Sequence, residues 1–168
     1  MAQSQIAGPI VKIGLAEYRV AKAPMVMMTM ALGSCLGIVL YDSEAKIGGL
    51  AHVMHPRRGL VKNNINKSKF VDSAIVLMVE RMVQRGAKRN RIVAKLFGGA
   101  RMFTNYKGTP GVLQIGEKNI RSAREKLDEL EIPLMAECVG GDRGRTICFN
   151  VSDGSVLVRD AAGGEIVF

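Results

Sequence analysis

The sequence contains no tryptophan, only three tyrosines and five phenylalanines, and just two histidines. A core must therefore be assembled from Val, Ile, Leu and ten methionines. The same shortage weakens a nucleic-acid reading, because single strands are held largely by stacking bases on aromatic rings. Three cysteines, Cys35, Cys138 and Cys148, are an odd number with no Cys-x-x-Cys spacing. That excludes a secreted disulfide framework and a zinc knuckle, and points to a reducing cytoplasm. The opening MAQSQIAGPIVKIG lacks a basic start followed by an apolar run, so no signal peptide is expected. The stretch from Ala23 to Tyr41 carries no charge and approaches the roughly 20 residues a spanning helix needs. Pro24 near its start and Gly33, Ser34, Cys35 and Gly37 in its middle break it. It reads as two buried strands flanking a turn, and no membrane insertion is expected.

What the chain has in excess is positive charge, a net +9, and it is unevenly placed. Between Arg57 and Arg101 there are 12 Lys or Arg against two acids, Asp72 and Glu80, so the middle carries the whole surplus. Such a stripe suits nucleic acid, an acidic membrane surface or an acidic protein partner, or it simply solvates a face.

At 168 residues, without repeats, linkers or breaks in composition, residues 1–168 read as a single domain. Short apolar or alternating runs bounded by Gly, Pro and Asp predict strands at Ile10–Ile13, Tyr18–Ala21, Val26–Met30, Leu36–Tyr41 and Ile47–Met54. Arg57–Lys67, basic and Asn-rich, reads as a loop. Val71, Ala74, Ile75, Met78, Val79, Met82 and Val83 form a helical stripe, with Ser68 or Asn66 as cap and Gly86 as stop. A strand at Ile92–Phe97 runs into Gly98-Gly99. A second helix covers about Glu117–Leu130, and Pro133 favours an extended Ile132. Strands at Leu134–Val139, Arg145–Val151 and Ser155–Arg159 complete an α+β domain.

Two segments hold the residues with chemical potential. Gly33-Ser34-Cys35 follows an apolar strand, so the cysteine lies at a turn whose backbone N–H groups can face the sulfur and later an oxyanion. Equally, a free cysteine is often a small buried hydrophobe. Ile47–Pro56 contains both histidines, and its glycines and proline make it a strand. Alternation places Leu50, His52 and Met54 on one face and Ala51, Val53 and His55 on the other. The imidazoles then diverge, which weakens a zinc reading, and no carboxylates or thiolates stand at ligand spacing. A buried His52 beside a strand-borne cysteine is the partner that generates a thiolate. A serine reading through Ser34, Asp42 and His52 lacks a GxSxG elbow. Gly98-Gly99, Gly140-Gly141 and Gly144 lack the Lys-Ser/Thr context of a phosphate cradle and read as turns or close backbone contacts.

Six motifs together resemble the CheD family of chemoreceptor glutamine deamidases. They are LGSCLGIVLYD (Leu32–Asp42), GGLAHVMHP (Gly48–Pro56), KFVDSAI (Lys69–Ile75), KLFGGARMF (Lys95–Phe103), IGEKNI (Ile115–Ile120) and GGDRGRTICFNVSDGSVLVR (Gly140–Arg159). The resemblance runs over nearly the whole chain. It implies layered β-sheets with flanking helices, similar to bacterial deamidating toxins, and a cysteine hydrolase that converts receptor glutamines to glutamate and ammonia. It puts the nucleophile on Cys35, the base on His52 and an orienting hydroxyl on Thr29, with backbone N–H groups at Ser34 and Cys35 holding the oxyanion. His55 departs from the family, which usually has an apolar residue there. No cofactor or metal is implied. Chemotaxis receptors are the implied substrate and the CheC phosphatase a further partner; nucleic acid is not expected. A non-catalytic adaptor that binds receptors or CheC is the alternative. For the basic middle, receptor steering through Arg57, Arg58, Lys62, Lys67 and Lys69 is the expectation.

Overall fold

A computed structural model of the chain describes residues 8–59, 66–102 and 115–168. Ten strands and two helices occupy them. The strands are β1 (Ile10–Lys12), β2 (Tyr18–Lys22), β3 (Val26–Leu32), β4 (Leu36–Asp42), β5 (Ile47–Val53), β6 (Val93–Gly98), β7 (Leu134–Val139), β8 (Arg145–Asn150), β9 (Val156–Asp160) and β10 (Glu165–Val167). The helices are α1 (Val71–Gln84) and α2 (Ile115–Glu129). The strands form two five-stranded sheets, ordered β1-β3-β8-β9-β10 and β2-β5-β4-β6-β7. Each is mixed, through the parallel pairs β1–β3 and β6–β7.

Sequence alternation on β4 and β5 generates the layering. Leu36, Ile38, Leu40, Ile47, Ala51 and Val53 share one apolar cluster with the buried residues of α1 and α2. Val39, Tyr41 and Leu50 point the other way and pack with Met27, Leu32, Ile147 and Phe149 of the first sheet. The second sheet is thus buried on both faces, which is why β4 and β5 read as continuous apolar runs. The order is helices, second sheet, first sheet. Both helices lie on one side, and the α+β class expected from the sequence is what the structure has.

Helix α1 buries Val71, Ala74, Ile75, Met78, Val79 and Met82, six of the seven residues of the predicted stripe. At about 1.5–3 kcal/mol for each large apolar side chain, that face anchors the helix to the sheet. Its end is the expected glycine stop: Gly86 takes φ +107, its N–H reaches Val83 O, and Ala87 N–H reaches Met82 O. Its start differs from expectation. Phe70 is the N-cap and makes no side-chain capping bond. Asn66 instead caps a separate 3₁₀ turn, Lys67–Lys69, accepting from Ser68 N–H at 3.1 Å. The chain turns once before the helix because extended Phe70 forms a bridge with His55.

Two smaller features concern the C-terminal third. Strand β10 is short and exposed throughout, with too brief an alternation to be read from sequence. Cys148 lies between the inward-facing Ile147 and Phe149, so alternation turns it to the outer face of the first sheet, half-buried rather than in the core. Cys138 is half-buried against the inter-sheet cluster.

Candidate active site

The turn Gly33–Cys35 joins a strand of the first sheet, β3, to a strand of the second, β4. It therefore sits where the two sheets part. In the β4–β5 ladder Gly37 lies opposite His52, and Leu36 opposite Val53. Cys35, two residues before Gly37, falls on the His52 side of the sheet, and its side chain packs against the inter-sheet cluster. Gly37 itself is crowded by the terminal methyls of Leu32 and Ile147, which would have to shift to admit a side chain.

His52 is 4% exposed. Its backbone is fixed from β2's approach, with His52 N–H on Glu17 O at 3.0 Å and Ala16 N–H on His52 O at 2.9 Å. Across the sheet gap, Thr29 of β3 brings its hydroxyl 2.8 Å from His52 Nδ1. That hydroxyl donates its single proton to Ile13 O, also at 2.8 Å. It must then accept from the ring, so His52 carries its proton on Nδ1 and leaves an unprotonated Nε2. Among the described residues Nε2 is buried without a hydrogen-bond partner. Burial lowers the imidazole pKa below its ordinary value. The half-buried Cys35 thiol is pushed up by desolvation, opposed only by its own backbone N–H. Both shifts favour the uncharged forms, a thiol and a neutral imidazole on the same face of the sheet and not hydrogen-bonded to each other.

The turn itself is held by its carbonyls. Gly33 O accepts from Ala100 N–H at 2.7 Å, and Cys35 O from Gly99 N–H at 2.8 Å. Ser34 O accepts from Asn119 Nδ2 at 3.0 Å. Among the described residues the N–H groups of Ser34 and Cys35 have no acceptor in another residue. Gly98 and Gly99 permit this approach: with φ +99 and +64 they occupy glycine-favoured conformations, and a Cβ on Gly98 would stand 2.6 Å from Cys35 O. The close backbone contact expected for this glycine pair is therefore a contact with the cysteine turn.

The other predicted residues are distributed as follows. Asp42 lies at the opposite end of β4 from Ser34, bound to Arg91, so the Ser34–Asp42–His52 set does not assemble. His55 lies beyond the end of β5, its ring 5.9 Å from that of Phe70, and burial followed by the Lys69 charge lowers its pKa. Arg57 pairs with Glu125 across exposed surface, Arg58 and Lys67 are exposed, and Lys69 is half-buried. Lys62 lies outside the described residues, as does Phe103. Elsewhere in the basic middle, Arg91 and Arg101 have acidic partners, and Lys95 donates to Gly154 O and Phe168 O. Among the described residues no three His, Cys, Asp or Glu side chains cluster as a metal site would require. A cavity of about 360 Å³ opens beyond Gly33, lined by Met102 and Arg145 among others, but neither Cys35 nor His52 lines it. The sequence reading missed Asn119, although its motif IGEKNI was visible; a polar residue on the inner face of an amphipathic helix was the available signal.

Fold and site define a class: a single α+β domain with a turn cysteine on the same sheet face as an inter-sheet hydroxyl–imidazole pair. Within that class, residues 54–160 match the family model described as CheD chemotactic sensory transduction. A protein of Moorella thermoacetica is 47% identical over 89% of this chain and 89% of its own. Relatives from Caldanaerobacter subterraneus subsp. tengcongensis and Clostridium botulinum are 43% and 44% identical, each over 92% of this chain and 95% and 94% of their own. All three bear the name "Probable chemoreceptor glutamine deamidase CheD". Among solved structures, the hypothetical protein YfiH of Bacillus licheniformis matches 77% of this chain and 58% of its own at 15% identity, with a TM-score of 0.46. The chain belongs to the CheD family.

Proposed function

We propose that this protein deamidates glutamine side chains of chemotaxis receptors, using Cys35 as nucleophile, His52 as general base and Thr29 to orient the imidazole. The observation that carries the reading is the hydroxyl relay Ile13 O, Thr29, His52 Nδ1, which leaves an unprotonated Nε2, without a partner among the described residues, on the face of the sheet that also carries Cys35. The names of the relatives supply the substrate class.

In the proposed reaction, Nε2 takes the thiol proton as Cys35 Sγ attacks the amide carbon of the glutamine side chain. Backbone N–H groups at Ser34 and Cys35 hold the developing oxyanion, a contribution of about 2.7–4 kcal/mol per donor. The imidazolium returns the proton to the leaving nitrogen and ammonia departs, leaving a thioester. Water, deprotonated by His52, attacks the thioester carbon and releases glutamate and the thiol. Because burial holds the pair uncharged, the proton moves as the substrate engages rather than in a standing thiolate–imidazolium pair. No step calls for a cofactor, and a cytoplasmic setting suits the free thiol.

Receptor capture is assigned to the basic side chains just past β5, Arg57, Arg58, Lys67 and Lys69, with Lys62 in the same stretch of sequence. Exposed charges act over about 8–10 Å at physiological salt, so added salt lowers the second-order rate while sparing turnover at saturation. CheC is the expected protein partner on the strength of family membership.

The deciding measurement is mass spectrometry of a receptor signalling fragment after incubation. Glutamines converted by the wild type gain about 1 Da each, a direct consequence of amide hydrolysis. Cys35→Ala should give no such shift. Conversion by the Cys35→Ala protein would rule out Cys35 as the nucleophile, and no conversion by the wild type would leave the non-catalytic adaptor as the better account of this chain.

A further inference from the structure

The three consecutive carbonyls of the nucleophile turn are all tied down, two by backbone N–H groups and one by a side chain. The side chain is Asn119. It is completely buried on α2, and its Nδ2 spends both protons, one on Ser34 O at 3.0 Å and one on Met54 O at 3.1 Å. It thus joins the residue before Cys35 to the residue two beyond His52. Its Oδ1 is buried and without a partner among the described residues. An unsatisfied buried acceptor is costly and uncommon, whereas both protons of the same amide are used. Helix α2 can come this close because Gly116 packs directly on Gly99: a Cβ on Gly116 would stand 2.6 Å from Gly99 O.

The consequence follows from peptide planarity. Ser34 O and Cys35 N–H belong to one rigid amide plane and point in opposite directions. A donor that fixes Ser34 O toward α2 fixes Cys35 N–H away from it, toward the thiol and the space where an oxyanion would form. We infer that Asn119 is a positioning residue for the deamidation: by holding the Ser34 carbonyl it presets the Cys35 N–H as an oxyanion donor. This rests on the catalytic reading of Cys35.

The test separates oxyanion stabilisation from thiol reactivity. Asn119→Ala and the near-isosteric Asn119→Leu, which cannot donate at that position, are compared with wild type in two assays. Deamidation of a receptor signalling fragment passes through an oxyanion. Alkylation of Cys35 by iodoacetamide, in which sulfur displaces iodide, does not. The expected result is a kcat lower by about 10²–10³, the usual loss for one oxyanion donor, with KM and the alkylation rate little changed. The near-isosteric variant keeps the test open should the alanine leave too large a gap. Ser122→Ala is the control on the same helix face: it removes the bond to Pro56 O and leaves the Ser34 carbonyl held. Alkylation falling in step with kcat, an unchanged kcat, or an equal kcat loss at Ser122→Ala would each overturn the inference. An active Cys35→Ala protein in the same assay would overturn the catalytic reading instead.

Discussion

The β4–β5 hairpin has two ends built on opposite principles. At the turn end, Asp42 is fully buried yet receives Arg91 at 2.8 Å and the N–H groups of Lys88, Glu44 and Ala45. Burial alone would raise its pKa, but Arg91 and these donors hold the carboxyl below its ordinary value. At the open end lie His52 Nε2 and Asn119 Oδ1, the two buried side-chain atoms without partners among the described residues. The same pair of strands therefore carries a satisfied charge at one end and, at the other, an imidazole nitrogen without a partner among the described residues, with Asn119 Oδ1 of α2 near that end. Satisfaction gives stability; an acceptor without a partner among the described residues, on the sheet face that carries the thiol, gives something for a substrate to complete.

His52→Ala should produce the largest effect, a loss of kcat of about 10⁴-fold or more, since nucleophile and base act as a unit. The purified variant should melt near wild type, and a collapse of stability with it would erase the contrast between the two ends. Asp42→Ala should do the reverse. It strands the Arg91 guanidinium, which is 23% exposed, so the cost is about 3 kcal/mol, the low end for breaking a buried pair. Urea unfolding measures the loss, while kcat per folded molecule should stay near wild type. Thr29→Val, which keeps the shape but removes the relay, should reduce kcat roughly 10–100-fold. That falls short of the about 10⁴ lost when an orienting carboxylate is replaced, because a neutral hydroxyl stabilises an imidazolium less.

Acid should reach the two ends in sequence. The His52 pKa is lowered by burial, so the unfolded chain takes up the proton first, and stability declines as pH falls below about 6.5. The acid limb of kcat/KM should likewise lie below the ordinary imidazole range. Asp42 has a depressed pKa, so its contribution is present above about pH 3.8 and is lost only as pH falls through its folded value. Denaturation curves measured from pH 7 to 3 should show the first decline weakened in His52→Ala and the second removed in Asp42→Ala. The smallest expected effect is at His55→Ala, within about twofold of wild-type activity, as for side chains away from the site. An equal loss at His52 and His55 would point to a paired-histidine site.

Much of this was legible along the chain because the signals were local. Alternation on β5 separated His52 from Ala51 and Val53, and the α1 stripe and Gly86 stop appear as read. The α1 cap was misplaced because an extra 3₁₀ turn depends on Phe70 meeting His55, which no local pattern encodes. The exposed β10 escaped for want of apolar contrast. Thr29 entered through family resemblance alone; composition and spacing give no reason to link it to a histidine 23 residues away.

By itself the sequence determined the α+β class, the strands that became β4 and β5, the placement of Cys35 at a turn and the family. Those follow from periodicity, glycine and proline positions and motif order, all properties of neighbouring residues. Only the tertiary structure decided that Thr29 from one sheet meets His52 from the other, that the ring proton sits on Nδ1, and that Asn119 from a distant helix holds the Ser34 carbonyl. Each of these is a hydrogen bond between segments far apart in the chain, and its existence depends on how two sheets and a helix stack rather than on any repeat within them.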